Sequence, residues 1–286
     1  MALRIPQGVY PDCPATCILL FMLNFLCDLD GVLYRDREPV AGAAKAVELL
    51  RQAGHRFLFA TNNATRTRAE FVTRLAGVGV PATVEDLATS ASATAQYLST
   101  QPQGAQPLRT AFVVGSAALA AELAAVGIRQ VEEDEQPDCV VASLDREFTY
   151  AKLARAQQAV LHGAQLVATN RDPQFPGADR LWPGAGSVVA AVEMACMRSA
   201  VVIGKPGPLL YQTLLASVGA DVARTIVIGD SLETDIPGAV AMDMPSVLVL
   251  TGVSRRQDVA AAAAKPTLVV ETLTELLDLD LNALLR

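Results

Sequence analysis

Hydrophobic positions along the chain fall into two alternating kinds of run. Short, nearly continuous apolar stretches occur at 57–61 (FLFAT), 111–114 (AFVV), 139–142 (CVVA), 165–169 (QLVAT), 200–203 (AVVI), 225–229 (TIVIG), 246–250 (SVLVL) and 267–270 (TLVV). Between them lie Ala- and Leu-rich stretches with helical spacing, at 42–53, 67–76, 85–99, 116–126, 149–162, 187–197, 207–218 and 234–241. A strand covered on both faces loses its polar positions, so the first kind predicts strands of a parallel sheet. The second kind predicts the helices that cover them. Strand and helix alternating over the whole length predict an α/β fold with parallel sheets.

The first apolar run is the hardest to read. From Ala15 to Cys27 there are 13 residues without a charge, and a spanning helix needs about 20. A secretory leader has a comparable apolar length, and Arg4 would be its thin positive start. No small-residue cleavage site follows, however; Asp28-Leu29-Asp30-Gly31 does. A buried strand over about 24–29 is the better reading. Residues 1–20, with their prolines, show no periodic pattern, and residues 1–23 are set apart as an N-terminal extension of unassigned role.

In parallel α/β sheets ligands bind outside the carboxyl ends of the strands, and the residues there are unusual. Asp28-Leu29-Asp30-Gly31 follows the first strand and Thr61-Asn62-Asn63 follows the 57–61 run. Gly204-Lys205-Pro206 follows 200–203, and Asp230-Ser231-Leu232-Glu233-Thr234-Asp235 follows 225–229. Each alone is an ordinary turn, cap or loop. Together they bring acids, a hydroxyl, a lysine and tight-turn glycines to one sheet edge. Four carboxylates there stay ionised together only if a cation joins them. Oxygen donors without His or Cys suit a hard ion, with Mg²⁺ the default. A Thr hydroxyl and the N–H groups of a helix start can cradle phosphate. One Asp can be the nucleophile and another the proton donor. The chemistry this suits is metal-assisted phosphoryl transfer.

Composition narrows the alternatives. The 286 residues are 51% hydrophobic and 19% charged, enough for one large or two modest globular domains. A net charge of −7 without a Lys/Arg run argues against nucleic acid as a partner. Five cysteines (Cys13, Cys17, Cys27, Cys139, Cys196) lack metal or redox spacing and read as reduced thiols of a cytoplasmic protein. The two histidines, His55 and His162, sit beside glycines in turns and read as surface residues, which argues against a His-based zinc site or a Ser-His-Asp triad.

The four segments in this order resemble the motifs of the haloacid dehalogenase superfamily. The finer pattern is similar to its NagD-like branch of p-nitrophenylphosphatases and phosphoglycolate phosphatases. That pattern includes Tyr34-Arg35, the run from Lys205 to Tyr211, Gly229-Asp230…Thr234-Asp235-Ile236, Leu144-Asp145…Phe148…Tyr150 and Ala168-Thr169-Asn170…Asp172. The resemblance implies a Rossmann-like parallel-sheet core at 24–82 and 183–286, with an inserted α/β cap domain at 83–182. It implies Asp28 as nucleophile and Mg²⁺ ligand, and Asp30 as general acid/base with its carbonyl on the metal. Thr61, Asn62 and Asn63 would bind phosphate, Lys205 would neutralise nucleophile and phosphate, and Asp230 and Asp235 would complete the metal set. The function implied is a Mg²⁺-dependent phosphatase of small phosphorylated metabolites acting through an aspartyl-phosphate. A phosphomutase or phosphotransferase with the same intermediate is the alternative. No membrane partner is expected, and a homodimer through the cap would follow the family's habit.

Overall fold

The computed structural model describes residues 22–100, 108–131, 134–176 and 180–285. The expectations for the N-terminal extension up to residue 21, with Cys13 and Cys17, lie outside them. In chain order the strands are β1 (Asn24–Cys27), a small hairpin β2 (Tyr34–Arg35) and β3 (Glu38–Pro39), β4 (Arg56–Thr61), β5 (Leu87–Thr89), β6 (Thr110–Val114), β7 (Arg129–Gln130) and β8 (Cys139–Ala142). They continue with β9 (Gln165–Ala168), a second hairpin β10 (Gln174–Pro176) and β11 (Leu181–Pro183), β12 (Val201–Val202), β13 (Thr225–Gly229), β14 (Ser246–Val249) and β15 (Leu268–Val270).

Two parallel sheets result. The first has the order β15-β14-β13-β1-β4-β5 and the second β12-β9-β8-β6-β7. In the first, β1 is central: Cys27 is in register with Ile228 on one side and Phe59 on the other. Alternate residues of its strands serve opposite faces. Phe25, Cys27, Phe57, Phe59, Ile226 and Ile228 pack toward the helix Ala43–Gln52 through its Ala43, Ala46, Val47 and Leu50. Leu26, Leu58, Ala60 and Val227 pack on the other side with Leu210, Leu214 and Ala239. This double cover is why the strands read as unbroken apolar runs. Each fully buried Phe or Leu contributes roughly 1.5–3 kcal/mol of burial. The rings of Phe25 and Phe57 lie 4.9 Å apart, tilted by 35°.

The second sheet is covered on one side by the helices Tyr150–Leu161 and Ala185–Cys196. Its other side shares a core with the first sheet through the helix Ser90–Ser99. Polar ties reinforce that junction: Ser116 Oγ donates to the Ala64 carbonyl at 2.7 Å, and Arg68 pairs with Glu122 at 3.3 Å.

The α/β class with parallel sheets stands as expected. Several details differ. The expected helix at 85–99 is a strand followed by a shorter helix, because Thr89 and Ser92 form a reciprocal capping box that starts the helix at Ser90. β5 therefore joins the first sheet, although it lies in the span expected for the insertion. Conversely β12, on the far side of position 183, pairs with β9 of the second sheet. β1 ends at Cys27 because the next residues turn. The hairpins and β7 are two or three residues per strand, too short for a period to register. His162 is exposed as expected, but His55 is half-buried. Its Nδ1 accepts from Leu23 N–H at 3.3 Å and its ring meets Phe25 edge-on at 5.5 Å. The glycine segments at 115–116 and 184–187 are helix starts, with Ser116 capping Ala117–Ala125. No helix among the described residues is long and apolar enough to cross a membrane.

Candidate active site

β1 delivers Asp28 to the carboxyl edge, where its N–H donates to the Ile228 carbonyl at 2.8 Å. The chain then turns at once. Leu33 N–H reaches the Leu29 carbonyl at 2.9 Å and Gly31 N–H the Tyr34 carbonyl at 2.8 Å. Leu29 is fully buried and anchors the turn, so Asp28 and Asp30 flank it at the edge. Gly31 has φ 85°, and a Cβ there would stand 2.3 Å from Asp230 Oδ2. Only glycine satisfies both the left-handed backbone and that approach.

Lys205 arrives from the other side of the edge, at 3% exposure. Its Nζ donates to Asp28 Oδ1 at 2.6 Å, to Asp235 Oδ1 at 2.6 Å and to the Ala60 carbonyl at 3.2 Å. Three donors meet three acceptors, which saturates the ammonium. Asp235 is also held by Ser231 N–H at 3.1 Å, and the Tyr211 hydroxyl lies 3.5 Å from its Oδ1. Asp230 is buried, with Oδ2 accepting from Val253 N–H at 2.7 Å. A Cβ on Gly252 would sit 1.7 Å from that same oxygen.

The electrostatics follow from this crowding. Burial raises Asp28, Lys205 opposes the rise, and Asp235 and Asp230 add to it. Burial, then Asp235, push Asp230 up to about 7. Burial alone would discharge Lys205, but Asp235 and Asp28 outweigh it and hold the lysine above its ordinary value. Burial also raises Asp30, with Arg74 and Lys205 pulling it back.

Similarity to known proteins agrees with this geometry. Residues 25–129 match the family model of haloacid dehalogenase-like hydrolases, and residues 202–276 match a second model of hydrolases like them. The chain is 41% identical over 254 residues to the D-glycerol 3-phosphate phosphatase of Mycobacterium tuberculosis, covering 88% of this chain and 70% of that protein. It belongs to the haloacid dehalogenase-like hydrolases. It is 33% identical over 259 residues to the 5'-nucleotidase YutF of Bacillus subtilis, covering 88% of this chain and 96% of that one. Among solved structures, it superposes on a glycerol phosphate phosphatase from Mycobacterium tuberculosis in complex with magnesium with a TM-score of 0.82, at 38% identity over 91% of this chain and 77% of that one. Like these relatives, this haloacid dehalogenase-like hydrolase is a phosphatase, with a parallel-sheet core and an inserted α/β cap.

Enzymes of this family use a divalent metal, and the donor set here suits one. One oxygen each from Asp28, Asp230 and Asp235 lies within 4.8 Å of the others, and no His or Cys intrudes. Asp30 is outside that carboxylate group, as expected if it offers a backbone carbonyl instead. Both Asp235 oxygens already take hydrogen bonds, from Lys205 and from Ser231. Asp28 and Asp230 are therefore the more available direct ligands.

The phosphate-binding expectations divide. Thr61 is buried at the edge, and its Oγ1 accepts from Asn63 N–H at 3.1 Å. The Asn63 side chain is turned to Thr65, accepting from its N–H at 2.9 Å and its hydroxyl at 2.7 Å. The Asn62 side chain is spent on the Lys205 main chain and on Asp172. Asn63 shapes the loop locally by bonding two residues on, whereas the Asn62 side chain reaches across to Lys205 and Asp172. Tyr211 and Asp172 stand in segments that resemble the family's, but no pattern in the sequence marks their place at the site. Gly252 and Val253, which shape Asp230, follow a strand whose sequence holds no motif.

Proposed function

We propose that the chain is a Mg²⁺-dependent phosphatase that hydrolyses small phosphate monoesters through a phosphorylated Asp28. The observation that carries the reading is the position of Lys205 Nζ, 2.6 Å from both Asp28 and Asp235, beside a carboxylate group that fits one cation. Asp28, Asp230 and the Asp30 carbonyl would hold Mg²⁺ directly, with Asp235 behind them. When bound, the ion supplies positive charge to the phosphoryl oxygens.

An Asp28 oxygen attacks phosphorus and the ester P–O bond breaks. Asp30 gives its proton to the leaving oxygen, and burial suits it to carry that proton by raising its pKa. Asp30, now ionised, takes a proton from water as that water attacks the same phosphorus. Phosphate leaves and the Asp28 carboxylate returns. Lys205 orients the attacking carboxylate, opposes the effect of burial by favouring its ionised form, and offers charge to the incoming phosphate. Thr61 lines the same edge as a hydroxyl donor.

We divide the chain into a core around the first sheet and a cap around the second. We put the crossings near 90 and 203, because β5 pairs in the first sheet and β12 in the second; the expectation from sequence was 82 and 183. A cap over the edge excludes bulk water and selects small substrates. Glycerol phosphates head the candidates, because the relative that is 41% identical carries that name. Exposed Tyr150, Leu161, Met194 and Met197 on the cap helices support a homodimer through that unit. The buried free thiols Cys27, Cys139 and Cys196 suit the reducing cytoplasm. Purified protein assayed for phosphate release from glycerol phosphates, sugar phosphates and nucleoside monophosphates, with Mg²⁺ and with chelator, tests the reading. Release from none of them, or equal release in chelator, would sink it.

A further inference from the structure

The Asn62 amide is fully committed. Its Oδ1 accepts from Lys205 N–H at 2.8 Å, and its Nδ2 donates to the Lys205 carbonyl at 2.9 Å. The same Nδ2 reaches both Asp172 oxygens at 3.1 Å. One side chain thus pairs with both main-chain groups of Lys205, as a neighbouring strand would, where β12 has already ended. The orientation of that amide matters. Turned over, it would face its NH₂ to the Lys205 N–H and its oxygen to the Asp172 carboxylate. Asp172, a pure acceptor when ionised, adds to the Lys205 N–H and carbonyl in selecting that orientation and holds the NH₂ end in place.

Asp172 is itself held. It lies beyond β9 in the cap, its N–H donates to Asn170 Oδ1 at 3.1 Å, and its carbonyl accepts from Gly186 N–H at 2.9 Å. Asn170 Nδ2 donates in turn to the Asn62 carbonyl at 2.7 Å. The approach of the next helix leaves no slack: a Cβ on Gly184 would stand 2.2 Å from the Asp172 carbonyl oxygen. A short strap of the cap, at 170–172, is therefore fixed to the cap helix on one side and to Asn62 on the other.

We infer that Asp172 is a positioning residue for phosphoryl transfer: acting through the Asn62 amide, it fixes the Lys205 main chain and so sets the lysine ammonium against Asp28. The inference rests on the role of Lys205 given above. It also makes the catalytic lysine's placement depend on the cap being seated, because the carboxylate comes from one unit and the nucleophile from the other.

The test is a set of variants assayed for p-nitrophenyl phosphate hydrolysis with Mg²⁺, each with a thermal melt. Asp172→Ala should lower kcat by roughly ten- to a hundredfold, the scale of a displacement of about 1 Å at a reacting group. Asp172→Asn keeps an acceptor oxygen and should recover most of that loss, which a simple packing role would not require. Added to Asn62→Ala, Asp172→Ala should cause no further fall in kcat, because residues acting through one another are non-additive. Losses that multiply in the double variant, or equal losses in Asp172→Asn and Asp172→Ala, overturn the inference. If Asn62→Ala fails to fold, the second comparison decides alone. Lys205→Ala runs alongside. Wild-type activity there removes the lysine's role and this inference with it. An inactive Lys205→Ala beside a fully active Asp172→Ala overturns this inference alone.

Discussion

Asp28 and Asp30 differ by two positions and by everything around them. Asp28 is ion-paired to Lys205 at 2.6 Å, whereas Asp30 lies in the turn and has burial as its main influence. In the proposed reaction the first attacks and the second carries a proton. Asp28→Asn cannot form the acyl-phosphate and should reduce kcat by many orders of magnitude. More than about a tenth of wild-type turnover would remove Asp28 as nucleophile. Asp30→Asn should slow alkyl phosphates by roughly 10²–10⁴. Its first step should be far less affected with p-nitrophenyl phosphate, whose leaving group needs no proton, so stopped-flow should show a burst of nitrophenol before slow turnover. An equal loss of the first step for both substrates would make Asp30 structural. The motif residues were legible because this chemistry tolerates few substitutes. The Asn62 and Asn63 side chains bond within the protein, a detail the sequence does not carry because an Asn beside a phosphate site and an Asn building a loop look the same in it.

Elements are positioned as much by their caps as by their packing. Ser116 begins the helix Ala117–Ala125, its Oγ accepting from Leu119 N–H at 3.3 Å and donating to the Ala64 carbonyl at 2.7 Å. One hydroxyl thereby starts a cap helix and ties it to the loop behind Thr61. Ser116→Ala should cost about 1–2 kcal/mol of stability in urea unfolding. No change in midpoint would show that the helix start is supported elsewhere. The long apolar strands and amphipathic helices could be read in sequence because the period of 2 or 3.6 repeats several times within them. β5 could not, since its three residues run directly into a helix and share its apolar character.

At the scale of the whole molecule, the carboxylate group is a stored repulsion that a cation relieves. Asp230, raised to about 7 in the folded chain, lies near 3.9 when unfolded. The folded state therefore holds a proton that the unfolded state has lost between those values. Its stability contribution is complete below about pH 4 and is lost as pH rises through about 7. Without metal, Tm should fall over that window. Added Mg²⁺, which binds the folded form, should raise Tm most above pH 7. Melting curves in chelator and in Mg²⁺ at pH 5 and pH 8 check this, and equal metal-induced shifts at both would contradict it. Asp230→Asn should flatten the pH dependence in chelator and shrink the shift in Mg²⁺.

The sequence by itself determined the α/β class, the carboxyl-edge chemistry and the identity of Asp28, Asp30, Thr61, Lys205, Asp230 and Asp235 as the residues to inspect. These properties reside in local pattern: an apolar run ends and a functional residue follows. Tertiary structure alone decided which residues face one another. Asn62 meets Lys205 across 143 positions and Asp172 across 110. Gly252 fits against Asp230 only because β13 and β14 lie side by side in the sheet. Such pairings depend on how the strands are ordered across the sheets, and strand order leaves no period or spacing in the chain for a reader to find.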